Sequence, residues 1–158
     1  MARTRLVIKD NGLARLLKMT QALAKKPYVK VGVMGNVGAP RGGGIDTVGL
    51  AVVHEFGVPQ KGIPSRPFLR STFDAKSKDW NALLSRMALA VLRGKLTVEA
   101  ALELLGQRAS ADVKKRITTG SNFVANAPST IRRKGSSRPL IDTGRLLGSI
   151  SYQLVVPK

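Results

Sequence analysis

Ser149-Ile150-Ser151-Tyr152-Gln153-Leu154-Val155-Val156 alternates apolar and polar side chains, the period of a strand with one face on a core. Tyr28-Val29-Lys30-Val31-Gly32-Val33-Met34 places valine at every second position and reads as a second strand. The 149–156 strand pairs either with this one or with a hairpin partner. Helical patterns fill most of the chain between them, so the expected class is α+β: a small antiparallel sheet packed against two or three helices, with long flexible loops.

The helices announce themselves by spacing and caps. From Asp10 to Lys26, Leu13, Leu16, Leu17, Thr20 and Leu23 recur at i, i+3, i+4, i+7 and i+10, with Asp10 as the N-cap and Pro27 as the stop. Thr47 to Phe56 reads as a short helix capped by Asp46, with Leu50, Val53 and Phe56 on one face and Gly57 in a left-handed position after it. Ser65-Arg66-Pro67 opens a long helix to about Arg93, ended by Gly94, whose start Phe68, Leu69 and Phe73 anchor in the core. Thr97 caps the clearest helix, in which Val98, Ala101, Leu102, Leu105, Ala109, Val113 and Ile117 form a stripe that Gly120 closes. Two segments read as arms: 35–44, with five glycines and a proline in ten residues, and 121–141, which looks irregular throughout. Residues 1–27 are thus expected to form a basic N-terminal helix and arm, and 28–158 a single α+β domain.

Apolar residues make up 43 % of the 158 residues, enough for a real core, but aromatics only 4 %, so that core rests on aliphatic side chains. Cysteine is absent, which removes disulfides, thiolate chemistry and cysteine-based metal sites. Neither a membrane-spanning run nor a signal peptide is legible, and the expected setting is the cytoplasm or a particle assembled there. Charge is the strongest global signal: 27 basic against 9 acidic residues, net +18. Residues 1–30 carry net +7, residues 108–145 another +7, and the 77 residues between them only +3. Such a field attracts polyanions: nucleic acid, acidic protein surfaces or anionic lipid.

A search for catalytic chemistry finds little. Glu99 and Glu103 share a helix but lie beside the apolar stripe, as solvent-face charges do. His54-Glu55 lacks the second histidine four residues on, where Val58 stands, and one histidine without cysteine builds no ordinary zinc site. His54 reads as a packed or hydrogen-bonding helix residue. The glycines around Gly32–Gly38 match neither a dinucleotide fingerprint nor a phosphate loop. No catalytic, cofactor-binding or metal-binding residue is assigned. The best candidate surface is Thr130-Ile131-Arg132-Arg133-Lys134-Gly135-Ser136-Ser137-Arg138, with four cations and no aromatic. It suits phosphate contact without base stacking, contact with a subunit or acidic protein, or a simple solvated loop. Arg41, alone in the glycine loop, suits a phosphate or a neighbouring subunit.

Three pieces stand in order along the chain: Ala51-x-x-x-Glu55-Phe56-Gly57, then Ile63-Pro64-x-Arg66-Pro67-Phe68-Leu69, then Pro139-Leu140-Ile141-Asp142-Thr143-Gly144-x-Leu146-x-x-Ser149-Ile150. Together, over roughly residues 28–156, they resemble the virion-morphogenesis and tail-completion proteins of tailed bacteriophages, the group that includes lambda-type minor tail protein Z and Mu-like tail morphogenesis proteins. The resemblance implies a structural, non-enzymatic role at the head–tail joining neck or the upper end of the tail. It implies a homo-oligomeric, six-fold ring around the DNA path, contact with phage tail and connector proteins, and passing contact with genomic DNA but no membrane. Beside that reading, Pro64 and Pro67 bracket Arg66 and fix its direction. Asp142 caps a short helix, and Gly144 allows close packing. Arg66, Arg70 and Arg145 are the expected cross-subunit or DNA-facing contacts. The competing expectation is a basic nucleic-acid-binding protein, ribosome- or nucleoid-associated, marked by tight, salt-sensitive binding of the isolated chain.

Overall fold

Strand β1 (Tyr28–Val33) and strand β2 (Ile150–Val155) pair antiparallel in a computed structural model that describes residues 11–34, 44–120 and 122–157. The register puts Val29 opposite Leu154, Val31 opposite Tyr152 and Val33 opposite Ile150, so the inward side chains of both strands meet on one face. Met34 N–H donating to Ser149 O at 3.2 Å extends the pairing one step. The inward face lies on helix α4 (Val98–Thr119), and the contact is made at Gly106: a Cβ there would sit 2.5 Å from the Tyr152 ring and 2.7 Å from Val29. Thr97 caps α4 through its hydroxyl, and Gly120 ends it at φ +63°.

Helix α3 (Phe68–Leu92) runs antiparallel to α4 across the turn at Gly94. Trp80 Nε1 donates to Asp112 Oδ2 at 2.9 Å near the middle of the pair, and Arg116 Nε to Ser71 Oγ at 3.3 Å near its other end. The core cluster sits at the end where α3 begins and α4 finishes: Phe68, Val113, Ile117, Ile150, Leu146, Leu140 and Ala51. Ala51 enters it from helix α2 (Thr47–Phe56), which Asp46 caps by accepting from Gly49 N–H at 2.7 Å. The buried face of α2 is Thr47, Ala51 and Glu55, not the expected Leu50, Val53 and Phe56. Small Ala51 lets the helix approach Phe68, and that rotation leaves Phe56 61 % exposed. Phe73, expected in the core, is equally exposed and packs edge-to-face on Trp80.

Helix α1 (Asn11–Ala24) forms within the stretch where the spacing predicts it. Met19 and Ala22 are its half-buried side chains toward the α3–α4 turn, and Arg15 lies across Gly94. Leu13, Leu16, Leu17 and Leu23, the apolar face that the spacing predicts, are 45–63 % exposed. Segment 121–141 is not irregular throughout: Pro128 opens helix α5 (Pro128–Lys134), and Gly135 ends it at φ +67°. Helix α6 (Arg145–Ser149) leads into β2. Its N-cap is Gly144, without a side-chain cap, so Asp142 does not cap it. Gly144 is needed for its φ of +77° rather than for close packing, since nothing lies within 4 Å of a Cβ placed there. Asp10 and residues 35–43, including Arg41, lie outside the described residues.

Candidate functional site

The first two motif pieces close on each other through Glu55. Helix α3 begins after Pro67, which supplies no side-chain cap, so its first N–H groups need a partner from elsewhere. Glu55, 5 % exposed, provides it: Oε2 accepts from Leu69 N–H and Oε1 from Arg70 N–H, both at 2.9 Å. The carboxylate also lies at the positive end of the helix dipole. Arg70 returns the contact, with Nε 3.1 Å from Oε1 and Nη2 donating to Glu55 O at 2.8 Å, while its guanidinium stacks over Phe56.

Gly57 turns the chain between these residues at φ +75°, ψ 176°, a region reserved for glycine. A Cβ there would meet Ser65 N at 2.8 Å and Ile63 O at 2.9 Å. Val58 and Ile63 then bridge, with the short 3-10 turn Pro59–Lys61 between them. Pro64 is half-buried beside them.

Arg66 joins the third piece. Its backbone N–H donates to His54 O at 2.6 Å, and its side chain, Nε and Nη2, donates to Val124 O at 2.7 Å and Ala125 O at 3.0 Å. At 6 % exposure it is not a surface contact, which corrects the expectation of a cross-subunit or DNA-facing arginine. The prolines on either side aim it inward, and two carbonyls spare it desolvation without partners. Burial pushes its guanidinium below its ordinary value. His54 packs beside it, its imidazole held down to about 4 by burial and by the cations Arg66 and Lys134. His54 Nδ1 is buried without a hydrogen-bond partner.

The basic segment is tied down rather than loose. Lys134 Nζ donates to Arg138 O at 3.0 Å, and Asn126 Nδ2 to Ser137 O and Arg138 O. Partial burial first, then Arg66 and Arg133, lower the Lys134 ammonium, with Asp142 opposing them. Arg132, Arg133 and Arg138 are exposed, as are Asp142 and Thr143; Arg145 at the start of α6 is exposed too but has an interaction of its own. Of the expected contact residues, then, Arg70 and Lys134 are half-engaged internally and Arg66 wholly so.

Sequence reasoning missed two features. One is the carboxylate of Glu55 as a cap for a helix 13 residues on, which only the pairing of two loops creates. The other is Gly106 as the seat of the sheet. Its one signal was a glycine inside a strong helical pattern, which asks for a packing reason.

Among the described residues no group of three histidine, aspartate or glutamate side chains is placed to hold a metal, and no helix is long and apolar enough to cross a membrane. The chain matches no family model, no curated protein and no solved structure.

Proposed function

We propose that this chain is a non-enzymatic structural component of a tailed bacteriophage. It acts at the head–tail joining neck or the upper end of the tail, in the virion after assembly in the host cytoplasm. Copies form a six-fold ring around the DNA path and bind neighbouring tail and connector proteins, without a cofactor. The observation that carries this reading is the use of the three motif pieces. Glu55, Gly57, Arg66 and Phe68 are spent on holding one end of the molecule together, with Leu140, Leu146 and Ile150 around Phe68. A motif whose charged groups are consumed internally serves architecture, not turnover. The exposed cations Arg132, Arg133 and Arg138 stay available to neighbours or to phosphates.

Peptide mass spectrometry of purified particles tests the assignment, and cryo-electron microscopy of those particles tests the ring. The expected result is the polypeptide at a fixed low copy number in the neck or tail. Particles that lack it overturn the reading. So does an isolated monomer that binds DNA tightly at low salt and loses it steeply as salt rises, since that is the behaviour of the competing nucleic-acid-binding class.

A further inference from the structure

One stretch of the chain lies on the body between two core anchors without entering the core itself. Phe123 packs against the core cluster and holds the Arg116 guanidinium over its ring, and Leu140 is buried in the same cluster. The residues between them, 124–138, close on themselves: Asn126 Nδ2 donates to Ser137 O and Arg138 O, and Lys134 Nζ to Arg138 O. Helix α5, in the middle of this stretch, has no buried residue. Among the described residues, the side-chain hydrogen bonds from the body to the stretch come from Arg66, through Nε to Val124 O and Nη2 to Ala125 O. His54 sits beside this clip. Its carbonyl accepts from Arg66 N–H, and its Nδ1 is buried with no hydrogen-bond partner. The charged groups that act on the imidazole are both cations, Arg66 from the loop before α3 and Lys134 from α5. Glu55, next on α2, is turned to the start of α3, and Asp142 acts on Lys134. The ion pairs among the described residues involve neither Arg66 nor Lys134.

We infer that residues 124–138 form a flap that proton uptake by His54 releases from the body. A neutral imidazole leaves one ring nitrogen without a proton. Protonation makes both nitrogens donors, so each needs an acceptor, and the buried Nδ1 has none. It also sets a third positive charge beside Arg66 and Lys134. Lifting the flap carries Lys134 away, opens Nδ1 to water and lets the Arg66 guanidinium be hydrated. The open form therefore accepts the proton and the closed form resists it, which holds the closed-form imidazole down at about 4 against an ordinary 6.5. The sign follows: closure is fully favoured above pH 6.5 and is lost as pH falls toward 4. With those two values the open fraction rises about twentyfold between pH 7 and 5, a window above the ordinary range of carboxyl groups. The flap carries the exposed cations Arg132, Arg133 and Arg138, so its release moves that basic surface relative to the body. The device is independent of the virion role proposed above.

His54 is the only histidine, so its ring signals in an NMR titration of the full chain are unambiguous, and they are expected to move near pH 4. The amides of Ile131 and Gly135, bonded to Ala127 O and Ile131 O, report the flap, because a helix of seven residues does not persist once detached. Their protection against hydrogen exchange, corrected for the intrinsic pH dependence of exchange, is expected to lie below that of α4 amides at pH 7 and to fall about twentyfold by pH 5. His54→Phe removes both the titrating group and the unpartnered nitrogen, and is expected to keep the flap protection level across the same window. His54→Gln, polar but not titrating, serves where phenylalanine does not fit. A ring that titrates at 6.5 overturns the inference, as does flap protection that ignores pH or that falls equally in a folded His54 variant. Equal protection of the flap and α4 amides overturns it too, since 124–138 would then open only with the whole fold.

Discussion

Glu55 is a single side chain on which two segments depend. It is buried, and its oxygens accept from two backbone N–H groups and one guanidinium, partners that offset the cost of taking a carboxyl group out of water. Replacing it with alanine orphans the first N–H groups of α3. Glu55→Ala is expected to cost about 2–4 kcal/mol, read as a fall in the urea midpoint. Arg70 is the contrasting case. Its side chain is 56 % exposed and can return to water, while Glu55 retains its two backbone donors. Arg70→Ala should therefore cost only about 1 kcal/mol. Equal losses for the two variants would show that the ion pair, not the cap, is what matters at this corner.

At the scale of elements, α4 and the sheet meet without a gap because residue 106 has no side chain. A glycine inside a helix normally costs about 1 kcal/mol relative to alanine, so Gly→Ala in an open helix stabilises. Here the added methyl must displace the Tyr152 ring and the Val29 methyl, neither of which is the loose tip of a long chain. Gly106→Ala is expected to lower stability by about 1–3 kcal/mol, with a matching drop in thermal midpoint; a stabilised variant would mean that the sheet rides free of α4. The strands and long helices were legible because alternation, helical spacing and caps at Asp46, Thr97 and Gly120 all act within a few residues of where they are written. Which face each helix buries was not. Phe56 and Phe73 look like core residues, but Ala51 and Glu55 win that face of α2 through contacts with Phe68 and the start of α3, partners that local periodicity does not name. Arg66 was misread for the same reason. Its two acceptors, Val124 and Ala125, lie nearly sixty residues away on a segment that carried no regular pattern.

Taken whole, the described residues form a folded body on which α1 makes few contacts. No described side chain of α1 is among the buried residues, and its inner face meets the α3–α4 turn through Met19, Ala22 and the stem of Arg15, beside an open cleft of about 620 Å³. Among the described contacts, deleting residues 1–26 uncovers part of Val91 and Val98 and removes the weak Arg15 contact to Arg93 O at 3.4 Å, and none of those lost belongs to the cluster around Phe68 or to the β1–β2 pairing. The area involved amounts to two modest apolar side chains, about 1–2 kcal/mol of burial. The shortened chain, its net charge reduced from +18 to +12, should therefore keep a cooperative urea transition with a midpoint only slightly lower. A truncated chain that fails to fold would make α1 part of the core despite its exposed leucines.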